Sequence, residues 1–110
     1  MNQFSEPKQI IKIFSTPTFD KWFENLKDNK LIVAINRRLD KIATNKHFGD
    51  HKNISGKLYE LRIFLGAGIR IYYTYDGKNV VLLLCAGDKS NQERDINKAK
   101  QILKDIENEI

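Results

Sequence analysis

A single cysteine among 110 residues has no partner for an internal disulfide, so the fold cannot rest on a covalent framework. Cys85 lies inside an apolar run and reads as a small core hydrophobe, a use of thiol that suits a reducing compartment. Long apolar stretches are also missing. The longest, Val80 to Ala86, is far too short to span a bilayer, and Met1 to Lys8 hold no run of signal-peptide length. A cytoplasmic protein with no membrane partner is expected. The two histidines, His47 and His51, are four apart with Gly49 between them, and neither HExxH nor a cysteine pair accompanies them, so no metal site is read. A Ser-His-Asp grouping, a P-loop, a GxGxxG turn, internal repeats and low-complexity segments are absent as well.

Charge is abundant but uneven. Nineteen Lys and Arg stand against fourteen Asp and Glu, for a net charge of +5. Residues 37–78 hold nine basic and four acidic groups and so carry the whole surplus, while the two flanks nearly balance. A focused positive field raises encounter rates with polyanions and displaces their counterions, although a basic surface also serves solubility. A length of 110 residues with 41% hydrophobic and 30% charged residues fits one globular domain with one core.

Lys8 to Phe14 reads as a first strand. Thr16-Pro17 starts a helix, with a capping hydroxyl followed by a residue whose missing N–H is harmless at the first helical position. Phe19, Trp22, Phe23 and Leu26 form its buried stripe, and Ile32, Ile35, Leu39 and Ile42 form that of a second helix, giving an antiparallel hairpin. Arg37, Arg38 and Lys41 fall off that stripe, on a solvated face or as phosphate contacts. Residues 45–57 read as a loop. Leu58 to Leu65 and Ile69 to Tyr75 are strands around Gly66-Ala67-Gly68, and Asp76-Gly77 suggests a two-residue type I′ turn. Asn79 to Ala86, apolar on both faces, should be a central strand. A capping box at Ser90 to Glu93 opens a last helix with its stripe at Ile96, Ala99, Leu103, Ile106 and Ile110. The fold class is therefore α+β: a strand and helix hairpin, a three-stranded antiparallel meander in one twisted sheet, and a C-terminal helix.

Alternation puts Glu60, Arg62 and Phe64 on one strand face and Arg70, Tyr72 and Thr74 on one face of the next strand. A three-residue loop pairs Leu65 with Ile69, Arg62 with Tyr72 and Phe64 with Arg70, so that both arginines share a face. A register slip of one residue would separate them. Carried through the next turn, Tyr73 meets Val80 and Ile71 meets Leu82, leaving the arginines above Val81 and Leu83 on the face the helices leave open. Glu60 can pair with one guanidinium, and the surplus cation suits a bidentate grip on phosphate. Lys89, just past the third strand, stands near the same floor or is a solvated turn residue.

Five segments in order, "FDKWFENLKD", "INRRLDKIATNKHFGDHK", "YELRIFLGAGIRIYYTYDG", "VVLLLCAGDKS" and "RDINKAK", resemble the HigB-like addiction-module killer proteins of the RelE/ParE toxin superfamily, over residues 8–105. The resemblance implies the RelE-like fold and a microbial type II toxin held inactive by a cognate antitoxin, a helix-turn-helix protein through which operator DNA would be reached. It implies a metal-independent endoribonuclease, needing no cofactor, that cuts messenger RNA on the ribosome. Arg62, Arg70 and Lys89 match basic positions of such enzymes, with Arg70 at that of a transition-state-stabilising arginine and Lys89 near the leaving group. The tyrosine of studied relatives falls near Asp95, and no histidine follows Lys89. Glu60 is the remaining candidate base, with Tyr72 and His51 behind it, and Lys46, His51, Lys52, Lys57 and Tyr72 are candidate RNA contacts. The same superfamily holds ParE-like gyrase poisons, and a degenerate chain that only binds antitoxin and DNA is a third possibility.

Overall fold

A computed structural model describes residues 10–109. Lys8 and Gln9 of the expected first strand, and Ile110 of the last stripe, lie outside them. The elements in chain order are β1 (Lys12–Ser15), α1 (Pro17–Glu24), α2 (Asn29–Asn45), β2 (His51–Ser55), β3 (Leu58–Ile63), β4 (Ile69–Tyr75), β5 (Val80–Asp88), a short 3₁₀ turn at Lys89–Asn91 and α3 (Gln92–Asn108). One sheet orders its strands β1-β5-β4-β3-β2, with β1 parallel to β5 and every other neighbour antiparallel.

Local chemistry explains the helix starts. Thr16 caps α1 by accepting from Phe19 N (3.1 Å), and its hydroxyl also donates to Leu84 O (2.6 Å), tying the helix to the central strand. Asp28 caps α2 by accepting from Lys30 N and Leu31 N. The 3₁₀ turn is capped by Asp88, which accepts from Ser90 N (2.9 Å). The expected capping box at Ser90 to Glu93 does not form, because α3 begins only at Gln92 and Asn91 gives no side-chain cap.

The sheet is covered on both faces. Phe19 of α1 and Leu31, Ile35 and Ile42 of α2 bury Leu61, Ile63, Ile69, Ile71, Tyr73, Val81 and Leu83. Ile96, Ala99, Ile102, Leu103 and Ile106 of α3 pack on Leu58, Tyr72, Leu82, Leu84 and Cys85. The arginine face is therefore not left open as expected, since α3 lies across part of it. β5 sits between β1 and β4 and is apolar on both sides, as its composition requires.

Two registers differ from those expected. β3 and β4 pair Ile63 with Ile69 and Arg62 with Arg70, so the connection spans five residues rather than three. A slip of two keeps every side chain on its face, and the arginines become direct cross-strand neighbours. Between β4 and β5 the expected two-residue turn gives way to a longer one. The Asp76 carboxylate accepts from the backbone N–H groups of Lys78, Asn79 and Val80 at 2.8 to 3.0 Å, and these bonds hold its pKa below the usual carboxylate value. Tyr75 then faces Val81, and a bulge between Tyr72 and Tyr73 leaves Leu84 as the extra residue. Val81 and Leu83 consequently turn toward α1 and α2, away from the arginines, while Leu84 and Cys85 face α3.

The segment read as a loop over 45–57 contains the edge strand β2, joined to β3 through Gly56 at φ +53°. Asn53 Nδ2 braces that hairpin by donating to Gly56 O (2.9 Å) and Leu58 O (3.1 Å).

Candidate functional site

On the α3 side of the sheet, Glu60 and Arg62 of β3 stand beside Tyr72 and Arg70 of β4, and Lys52 of β2 pairs in register with Glu60. Two arginines directly opposed on adjacent strands repel unless neutralised. Each has its own carboxylate. Arg62 Nη2 lies 3.1 Å from Asp50 Oδ1, a pair with 30% and 36% of the side chains exposed. Arg70 Nε lies 3.1 Å from Glu60 Oε1, with the arginine only 11% exposed and the glutamate fully enclosed. Gln92 at the start of α3 donates through Nε2 to the same Glu60 Oε1 (2.9 Å), and Lys52 Nζ approaches Oε2 at 3.8 Å.

Glu60 is thus held from three sides, and α3 roofs it. Enclosed and already engaged, it is placed to orient Arg70 rather than to meet a substrate hydroxyl. Tyr72, expected to touch RNA, is corrected to the interior: it is fully buried against α3, its hydroxyl has no hydrogen-bond partner, and burial together with Glu60 pushes its pKa well above the usual phenol value. Asp95 is also buried, and burial raises its carboxyl pKa. Its carboxylate occupies the space over Gly87, where any added methyl would collide with it.

The other expected residues spread along the rim. Lys89 is exposed, and its backbone N–H donates to Gly68 O (2.9 Å), fixing the end of β5 against the β3–β4 loop. His51 and Lys52 are exposed on β2 beside Leu61 and Glu60, the histidine's Nδ1–H donating to Gly49 O (2.8 Å). Lys46 ends α2 in the left-handed region at φ 56°. Lys57 lies in the β2–β3 turn, about 16 Å along the strand from Arg62 at the usual rise per residue. Lys57 is therefore an outer position, separate from the arginine pair.

Sequence reasoning missed three contributors. Arg38, read as a solvated or phosphate-binding side chain, is half-buried and donates to Arg62 O (2.6 Å), Phe48 O (2.7 Å) and Asp50 O (3.1 Å). It braces from beneath the strand that carries Arg62 and the residue that neutralises it. Asp50 and Gln92 had no pattern to reveal them, since each acts on a partner 12 or 32 residues away.

The arrangement is that of a small α+β domain carrying a cationic strand face with its guanidinium groups fixed in direction. The chain belongs to the family described as Phage derived protein Gp49-like (DUF891), whose model matches residues 21–104. It is 38% identical over 96 residues to an uncharacterized protein of Haemophilus influenzae, covering 87% of this chain and 96% of that one. Its fold is similar to that of a chain in the crystal structure of the intact E. coli RelBE toxin-antitoxin complex, with a TM-score of 0.58 at 16% identity over 72% of this chain and 95% of the other. That likeness establishes the RelE-like α+β fold. Among the described residues no helix is long and apolar enough to cross a membrane.

Proposed function

We propose that the protein is the toxin of a type II toxin–antitoxin pair and acts as a metal-independent endoribonuclease on messenger RNA in the ribosome. The observation that carries this reading is the direct pairing of Arg62 with Arg70 on one sheet face, each aimed by its own carboxylate. The fold shared with a chain of a toxin–antitoxin complex supports it, and with it an antitoxin partner.

In such a cleavage the RNA 2′-hydroxyl gives its proton to water and attacks the adjacent phosphorus, the P–O5′ bond breaks, O5′ takes up a proton, and the products are a 2′,3′-cyclic phosphate and a 5′-hydroxyl. The transition state places extra charge on the equatorial oxygens, where preorganised donors lower the barrier most. Arg70, held by the Glu60 that Gln92 positions, and Arg62, held by Asp50, supply those donors. Lys89 stabilises or protonates the departing 5′-oxygen. His51 and Lys52 hold the RNA backbone beside the pair, and Lys46 and Lys57 reach ribosomal or message phosphates. Glu60 serves through Arg70.

The test separates chemistry from folding. Arg70→Ala alone strands the enclosed Glu60 carboxylate, so it is paired with Glu60→Gln. The double variant should keep its cooperative unfolding transition while ribosome-dependent transcript cleavage falls about 10²- to 10³-fold and growth arrest on induction is lost. Intact transcripts from wild type with active ribosomes would overturn the reading. Growth arrest that survives loss of both arginines while DNA breaks accumulate would favour gyrase poisoning instead.

A further inference from the structure

Phe64 is the most exposed large hydrophobic residue among those described, 75% open to solvent, at the point where β3 leaves the sheet. A single exposed apolar side chain needs no explanation by itself. Its surroundings do. The β3–β4 loop folds over a hollow of about 370 Å³ lined by Phe64, Gly66, Ala67, Gly68, Arg70 and Lys89, with two cations and no carboxylate among the six.

The loop is built rather than loose. Leu65 N–H donates to Ile63 O (3.1 Å), Gly68 N–H to Leu65 O (3.2 Å), and Lys89 N–H to Gly68 O (2.9 Å). Gly66 and Gly68 sit at φ 61° and 77°, which side chains rarely adopt, so glycine keeps the backbone low at the mouth of the hollow. A Cβ on Gly66 would meet nothing within 4 Å, and one on Gly68 would meet Arg70 Nη1 and Lys89 Cβ at 3.8 Å. An aromatic ring, a guanidinium that is already aimed and a lysine thus border one open space.

We propose that Phe64 is a stacking platform for an unpaired RNA base, seated so that the adjoining phosphate falls between Arg70 and Lys89. Base–aromatic stacking needs only a π-face, so the contact adds affinity for single-stranded RNA without selecting a codon, and purines gain more than pyrimidines. The proposal rests on the reading of the arginine face as an RNA site and adds a residue to it. Charge favours nucleic acid over an apolar protein segment here, because an occupant of the hollow meets the exposed Lys89 and the guanidinium that Glu60 aims.

The test uses two uncleavable probes of equal length and charge, a fluorescein-labelled 2′-O-methyl hexaadenylate and its abasic counterpart, presented free and with ribosomes. Wild type should bind the base-bearing probe about tenfold more tightly than the abasic one. Phe64→Ala should lose that preference, keep its affinity for the abasic probe and melt as wild type does, and Phe64→Trp should restore the preference. Wild type binding neither probe, wild type showing no preference for bases, or Phe64→Ala matching wild type on the base-bearing probe would each overturn the proposal. So would a Phe64→Ala that binds both probes normally but no longer binds the antitoxin, since the ring would then be a protein contact. Phe64-dependent base binding by a wild type that leaves messages intact would instead defeat the cleavage reading alone.

Discussion

The two faces of the sheet are made from the same strands and differ in kind. Toward α1 and α2 the strands present Leu61, Ile63, Ile69, Ile71 and Val81, with Phe48 stacked on Tyr73 at 5.8 Å between ring centroids and Tyr59 stacked on it from the other strand at 5.5 Å. Toward α3 the same strands present Glu60, Arg70 and Tyr72, and buried polar atoms of Glu60, Tyr72 and Asp95 have no hydrogen-bond partner. The first face is packed almost wholly with apolar side chains, although Arg38 Nε of α2 also lacks a partner, and the second accepts unfavourable burial to hold cations in fixed directions. Alternation along a strand makes this division possible at adjacent residues.

Neighbouring positions on β4 place the two faces side by side. Ile71→Ala, on the α1/α2 side, should cost about 3 kcal/mol of unfolding free energy in urea titration, because a fully buried side chain leaves a cavity. A loss below roughly 1 kcal/mol would mean that this face does not carry the stability.

Asp95 tests the other face through pH. Burial raises its folded pKa above the unfolded value, so the folded state prefers the neutral carboxyl. Its favourable contribution is complete below the unfolded pKa and fades as pH rises through the folded one. Asp95→Asn should therefore gain stability relative to wild type on going from pH 3.5 to pH 7 in paired denaturation curves. A gap that stays constant would show that the carboxyl titrates normally.

The smallest effect is expected next to Ile71. Tyr72→Phe removes a buried hydroxyl without a partner, so stability should stay level or rise by up to about 1 kcal/mol, measured the same way. A clear loss would reveal a hydrogen bond to water or to Glu60 that links the hydroxyl to the site.

Legibility in the sequence followed the range of the forces. Thr16-Pro17 fixed the start of α1, because a cap and a first-turn proline act within three residues. The unbroken apolar run of β5 marked a strand buried on both sides. The shared face of Arg62 and Arg70 was readable from alternation, and it survived a wrong loop length because the slip was even. β2 was not readable. It is an edge strand with His51, Lys52 and Asn53 all exposed, so no buried face imposed a period on it, and its lysine suits an edge that must not pair further. The β5 bulge was hidden for a different reason, since Val80 to Ala86 is apolar throughout and any register would satisfy its pattern.

Residue type and spacing over short stretches were enough for the α+β class, the stripe of α1, that of α2 except at its start, where Leu31 is buried in place of the expected Ile32, the described part of the stripe of α3, the central strand and a strand face with two arginines. Long-range packing settled that α3 covers part of that face, that Gln92 positions the Glu60 that aims Arg70, that Arg38 braces β3, and that Tyr72 lies inside. Those outcomes depend on which surfaces meet across the chain. Contacts between residues 20 or 30 positions apart leave no period in the sequence, and they are settled by packing the two cores against one sheet.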